Sequence, residues 1–208
     1  MLYEMTKRKY IQRKRAEQQD LTRQRIVNAT MELHEELGAA RTTVSAVAKK
    51  AGVQRLTVYR HFPDDAALLE ACTTRWLELN PLPTDGHWRG IDDPRDRVDA
   101  ALAAFYAYYR DTAGMWQSAY RDMSNVAALA ERMDLVEEFL DDLAAGLASP
   151  FANDEEKGHR AFIVVRHGLR FLTWQSLTAA GLADGEAALL MGRWLDGLGC
   201  RPAQPAAR

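Results

Sequence analysis

Between Thr42 and Phe62 the chain reads TTVSAVAKKAGVQRLTVYRHF, with five basic residues, two aromatic ones and a single glycine. Hydroxyls, a phenol, an amide and guanidinium groups are suited to holding phosphate oxygens and base edges, and they form no nucleophile–base pair. What must position them is a pair of short helices broken at Ala51-Gly52-Val53, the pattern of a helix-turn-helix. Gly52 suits the positive φ of such a turn, which costs a residue with a Cβ about 1 kcal/mol or more. Ala48 is small enough for the second helix to cross close to the first, and Val47, Val53 and Val58 supply an apolar seam. The outward face of the second helix then carries Gln54, Arg55, Thr57, Arg60 and His61, all donors, and such a helix fits the major groove of duplex DNA. The alternative is a helical hairpin with a solvated basic face, which leaves the choice of short donors and a phenol unexplained.

Charge divides along the chain. Residues 1–61 hold 13 Lys/Arg against 6 Asp/Glu, net +7, and residues 62–208 hold 14 against 23, net −9, within an overall −2. A basic head on an acidic body points to a polyanionic partner. A disordered basic tail on an ordinary domain would give the same split, but residues 21–61 keep helical patterning. The 208 residues are 47% hydrophobic and 27% charged, an ordinary globular composition. No apolar run reaches the roughly 18–20 residues of a membrane span. The basic start lacks the apolar segment of a secretory signal. Cys72 and Cys200 match neither a metal site nor a disulfide framework, so the cytoplasm is the expected compartment and no cofactor is expected.

The remaining elements read as helices. Leu21, Ile26, Ala29, Leu33 and Leu37 share one face of a first helix ending at Gly38. Thr42 or Thr43 caps a second that runs to Lys50, and a third spans 54–61. Helices are expected over 64–79, 94–111, 113–121, 124–148, 154–181 and 184–199, separated by Pro- and Gly-bearing segments. No period-two alternation or internal repeat competes with them. The expected fold is all-α with about nine helices: a flexible basic arm over 1–20, a head over 21–63, a connecting helix over 64–79, a larger helical domain over 80–199 and a mobile tail over 200–208.

At this point residues 21–79 resemble the DNA-binding domain of TetR-type transcriptional regulators, through RQRIVNATMELHEELGAARTTVSAVAKKAGVQRLTVYRHFPDDAALLEAC with its AGV turn, TVYRHF helix and ALL continuation. The resemblance implies that Thr43, Thr57, Tyr59 and His61 meet phosphates, while Ser45, Gln54, Arg55, Leu56 and Arg60 approach bases or nearby backbone. Arg55 is the leading candidate for a bidentate contact to guanine, and Leu56 for a thymine methyl. One departure stands out: Asp65 occupies the place where the family typically has lysine, and a carboxylate repels phosphate. Lys49, Lys50 or the arm KRKYIQRKR at 7–15 are the available substitutes. The arm is either a solvated leader or a segment that follows the DNA backbone or a minor groove.

One recognition helix reads too few base pairs to find a single site, so a homodimer on a palindromic operator is expected. The last two helical segments, HRAFIVVRHGLRFLTWQSLTAAG and GEAALLMGRWLDGLG, are apolar on more than one face; they suit a four-helix dimer interface, as the resemblance also implies, or burial within the monomer. Helices 94–148 are rich in aromatic residues and methionine. Most of these belong to a core, but Trp116, Tyr120, Phe139, Arg166, His167 and Trp174 are candidates to line a pocket for a small apolar or aromatic effector. The resulting expectation is a ligand-released repressor. A DNA-binding factor without a ligand, or an activator, remains open. An enzyme is not expected: His159 and His167 lie eight apart without a carboxylate at zinc-site spacing, and no nucleophile elbow or phosphate loop is present.

Overall fold

The structure is a computed structural model that describes residues 2–197, and within these the side chains of Tyr10 and residues 12–197. The tail over 200–208, with Cys200, lies outside the described residues, as do the last two positions of the helix expected over 184–199. Among the described residues nine α-helices follow one another: α1 (Leu2–Leu37), α2 (Val44–Ala51), α3 (Arg55–His61), α4 (Asp65–Leu79), α5 (Pro94–Asp122), α6 (Ala127–Ala148), α7 (Glu155–Gly168), α8 (Phe171–Ala179) and α9 (Asp184–Gly197). No strand occurs among the described residues, and the fold is all-α.

The count of nine agrees with expectation, but the cuts differ. Residues 2–20 continue α1 instead of standing apart as an arm. They contain no Gly or Pro, are dominated by residues of good helix propensity, and include the (i, i+4) pair Arg13–Glu17 at 2.9 Å. The break expected near residue 112 is absent, and α5 runs unbroken through Gly114. A helical glycine costs about 1 kcal/mol relative to Ala, which the burial of Tyr109 and Trp116 on either side outweighs. Conversely, the helix expected over 154–181 breaks at Leu169–Arg170. The carbonyls released there are not left bare: the Thr173 hydroxyl donates to His167 O at 2.6 Å and the Tyr109 hydroxyl donates to Leu169 O at 2.7 Å. A buried break is tolerable only when such groups find donors.

Two compact units emerge. The first comprises the chain through Leu79 together with Gln117–Arg132; the second comprises Asn80–Trp116 and the chain from Met133 onward. The first is built on Ile26, Val27, Ala29, Leu33, Val47, Ala48, Ala51, Val58, Phe62 and Leu68. Leu21 and Leu37, expected on this inward face, are exposed instead. The last turn of α5 belongs to this unit. Its Asp122 carboxylate accepts from Ala40 N–H at 3.0 Å and pairs with Arg121 at 2.8 Å, while Arg121 donates to Leu37 O at 3.2 Å. Those groups hold the 3-10 turn Ala39–Arg41 that leads into α2. Gly38, at φ 90°, sits so close that a Cβ would collide with the Arg121 and Asp122 side chains.

The core of the second unit is aromatic. Phe171 meets Tyr109 edge-on at 5.4 Å between ring centroids, Trp116 at 6.1 Å and Trp174 at 5.5 Å. Such pairs add about 0.5–1.5 kcal/mol each to the burial of their area.

Candidate nucleic-acid interface

The interface begins at the α2 cap. Thr43 has extended backbone, and its hydroxyl oxygen accepts from Ala46 N–H at 3.2 Å. The cap uses the oxygen as an acceptor, so the hydroxyl proton stays available to a phosphate. Ser45 is exposed in the first turn of α2. At the other end Gly52 takes φ 65°, ψ 38°, and Val53 N–H donates to Ala48 O at 2.9 Å. The reversal therefore falls on Gly52, as its type requires, and the turn extends through Gln54.

A seven-residue helix is not stable alone in water, so α3 must be held by packing. Val58 and Phe62, four apart, are buried in the head core, and each contributes about 1.5–3 kcal/mol through the area it removes from water. Arg23 of α1 closes the far end, with its guanidinium 4.3 Å from the Phe62 ring centroid and a hydrogen bond to His61 O at 3.4 Å. With Val58 and Phe62 pointing inward, Gln54, Arg55, Leu56, Tyr59 and Arg60 are exposed. Gln54 stands at the α3 cap without using its side chain there. Leu56 is 75% exposed, a cost that packing within the chain does not explain. Thr57 and His61 are half-buried at the edges of this face. Burial, then the neighbouring Arg60 and Arg23 charges, depress the pKa of His61 below the ordinary histidine range, which favours the neutral ring in the free protein. All nine sequence-predicted residues thus lie along α2, the turn and α3.

The surrounding charge is arranged differently from what the sequence suggests. Lys50 is tied to Glu36 at 2.7 Å and Glu32 at 3.0 Å, so it is a poor substitute for the absent lysine, whereas Lys49 is exposed. Asp64 caps α4 by accepting from Ala67 N–H at 2.8 Å; Asp65 follows it, exposed, in the first turn. Helix-dipole logic accounts for both carboxylates.

Of the six residues considered for an effector site, two meet on one side chain, and Arg166 and His167 have partners of their own. Trp116 and Trp174 are buried and pack on Phe171, and the Trp174 indole donates to Asp184 at 2.9 Å. Phe139 is half-buried on α6, and Tyr120 belongs to the other unit. Arg166 is committed to Glu137 and Asp141, joining α7 to α6. His167 is exposed and stacks on Trp194 of α9, with centroids 6.2 Å apart and planes 8° apart. Sequence reasoning passed over Tyr106 as one more core aromatic. It is fully buried, burial raises its phenol pKa, and its hydroxyl finds no hydrogen-bond partner among the described residues. Periodicity alone cannot signal an orphaned hydroxyl. Among the described residues no group of His, Cys, Asp or Glu could hold a metal ion, and no helix is long and apolar enough to cross a membrane.

Comparison with known proteins places this geometry. Residues 26–72 match the family described as bacterial regulatory proteins, tetR family. The HTH-type transcriptional regulator BetI of Stenotrophomonas maltophilia is 35% identical over 81 residues, covering 38% of this chain and 41% of that one; the match therefore spans less than half of the curated relative. Among solved structures, a TetR-like transcriptional regulator from Rhodococcus sp. RHA1 superposes with a TM-score of 0.66 at 19% identity, covering 86% of this chain and 97% of that chain. The SmeT–triclosan complex gives 0.61 at 19% identity, over 90% and 99%. At such identities these structures share the fold, while the sequence match lies in the head. The match to the family of bacterial regulatory proteins, tetR family, thus rests on residues 26–72 of the head, and the likeness of the rest of the chain to these proteins is one of fold.

Proposed function

We propose that this protein is a cytoplasmic, homodimeric transcriptional repressor that reads a palindromic operator with α3 and is released by a small apolar or aromatic effector. The observation that carries the reading is α3 itself, buried through Val58 and capped by buried Phe62, with Arg55, Leu56, Tyr59 and Arg60 exposed. An isolated hairpin has no use for an exposed leucine beside an arginine; a major groove has use for both. Dimerisation is supported by the apolar surface of α7–α9, where Ile163, Leu172, Leu189, Leu190 and Trp194 are exposed. The same helices of a second copy would cover it. The effector reading rests on the orphaned hydroxyl of fully buried Tyr106 and on the triclosan complex of a protein with the same fold. An effector with an apolar body and one polar atom suits that surrounding. The catalytic reading has no comparable support.

The test is selection of binding sites from random duplex DNA at about 150 mM salt, where non-specific binding is weak. A two-fold symmetric motif with half-sites about one helical turn apart is the expected product. No enriched motif, or a motif bound equally well by Arg55→Ala, would overturn the reading.

A further inference from the structure

The first half of α1 is rich in basic residues, and its described side chains face solvent. Tyr10 and every residue from 12 to 20 are exposed, and at 1.5 Å per residue the 21 residues from Leu2 to Thr22 extend about 30 Å. Residues 1–20 contain six Lys/Arg against three Asp/Glu. Arg13 is matched internally by Glu17, whereas Lys14 and Arg15 have no charged partner among the described residues. Among the described residues no packing accounts for the exposed helix over 12–20, and a chain segment with so little burial does not stay ordered by propensity alone.

Its place in the head gives it a partner. Arg23 lies over Phe62 and donates to His61 O, so α1 passes the carboxyl end of α3 and continues beyond it. Lys14 follows nine residues earlier on the same helix, about 13 Å along the axis. Duplex DNA presents one negative charge per about 1.7 Å of axis, and a rigid cationic rod starting beside a groove-reading helix meets that charge without needing any base contact.

We infer that the amino-terminal half of α1 is a second, sequence-independent DNA contact, in which Lys14 and Arg15 bind backbone phosphates beyond the operator half-site. This rests on the operator-binding reading of α3. It also supplies the anchor that Asp65 denies to the head and that Lys50, held by Glu32 and Glu36, does not offer.

The experiment measures the affinity of the full chain for a long duplex between about 50 and 200 mM salt, for wild type, Lys14→Gln/Arg15→Gln and the charge-preserving Lys14→Arg/Arg15→Lys. Each phosphate contact contributes about 0.9 to the slope of log affinity against log salt. Bound as a dimer, the Gln variant lacks both contacts in each protomer and is expected to lose about 3.6 from the slope, so that its affinity falls about 150-fold less across that range. The charge-preserving variant should retain the wild-type slope. Equal slopes for wild type and the Gln variant overturn the inference while leaving the α3 reading intact. Loss of slope in both variants overturns it too, because a helix distortion would then be the cause. So does an unchanged slope with arm-dependent capture by phosphatidylserine vesicles, which would reassign the rod to a lipid surface. A wild-type chain that binds no duplex at all removes the α3 reading itself.

Discussion

The head and the aromatic core use the same residue types in opposite ways. On α3 a tyrosine and a leucine face water, and Val58 alone is buried. Around Phe171, tyrosine and tryptophan are buried, with their polar tips bonded to the backbone at the α7–α8 break or to Asp184 at the start of α9. An exposed aromatic at the edge of a short, packing-dependent helix is free to serve a partner. A buried one whose hydroxyl holds a helix end serves the fold, however ligand-like it looks in a sequence. Tyr109 and Tyr59 make that contrast directly.

The largest way to sharpen it is Phe171→Ala. This side chain is fully buried and touches Tyr109, Trp116 and Trp174. Its loss is expected to cost about 3–5 kcal/mol in chemical denaturation. A cost below 1 kcal/mol would mean that the cluster is loosely packed and better regarded as a binding chamber than as a core.

A titration tests the head in the same way. Burial, only partly offset by the nearby Asp122 charge, lowers His34 to about 4. Its Nδ1 lies 3.6 Å from the Cys72 sulfur. The folded protein keeps this ring neutral, whereas the unfolded chain takes up a proton near pH 6.5, so between about pH 6.5 and 4 the unfolded state binds more protons. Stability should therefore fall as pH drops through that window, by at most about 3 kcal/mol from this one group. His34→Gln should reduce the loss relative to wild type. Parallel pH profiles for the two would show that acid sensitivity lies in the carboxylates.

Arg55→Ala should show the reverse of Phe171→Ala. Operator affinity is expected to fall by about 1–3 kcal/mol, while stability stays within about 0.5 kcal/mol, as usual for an exposed substitution. Equal losses in both measurements would make Arg55 part of the packing and blur the distinction between head and core.

How far each region could be read in advance follows from the same contrast. Thr43, Gly52 and the outward set on α3 were legible because caps, turns and short-helix faces are decided within about four residues. The unbroken α5 and the broken α7–α8 were not. The first depends on the burial of Tyr109 and Trp116 on either side of Gly114, and the second on the Tyr109 hydroxyl, which satisfies Leu169 from sixty residues away in sequence. The commitment of Arg166 to Glu137 and Asp141, and the stacking of His167 on Trp194, are likewise contacts between separate helices. A linear reading has no signal for such pairings, because each joins residues on different helices.

The smallest expected effect bears on Lys50, where the head departs from its own charge count. Glu32→Gln with Glu36→Gln frees the ammonium group that lies 3.0 and 2.7 Å from these carboxylates. Two consequences are separable. Removing negative charge from the head raises affinity for any duplex through the long-range field, and Glu35→Gln, which removes one carboxylate instead of two on the same helix, should reproduce about half of that part. If the freed Lys50 of each protomer also takes up a phosphate, the salt slope of the dimer steepens by about 1.8, which Glu35→Gln cannot reproduce. An affinity gain without a steeper slope would show that Lys50 faces away from the duplex. The basic excess of the head would then overstate its contacts, and more of the phosphate binding would have to come from Lys49, Arg60 and the α1 rod.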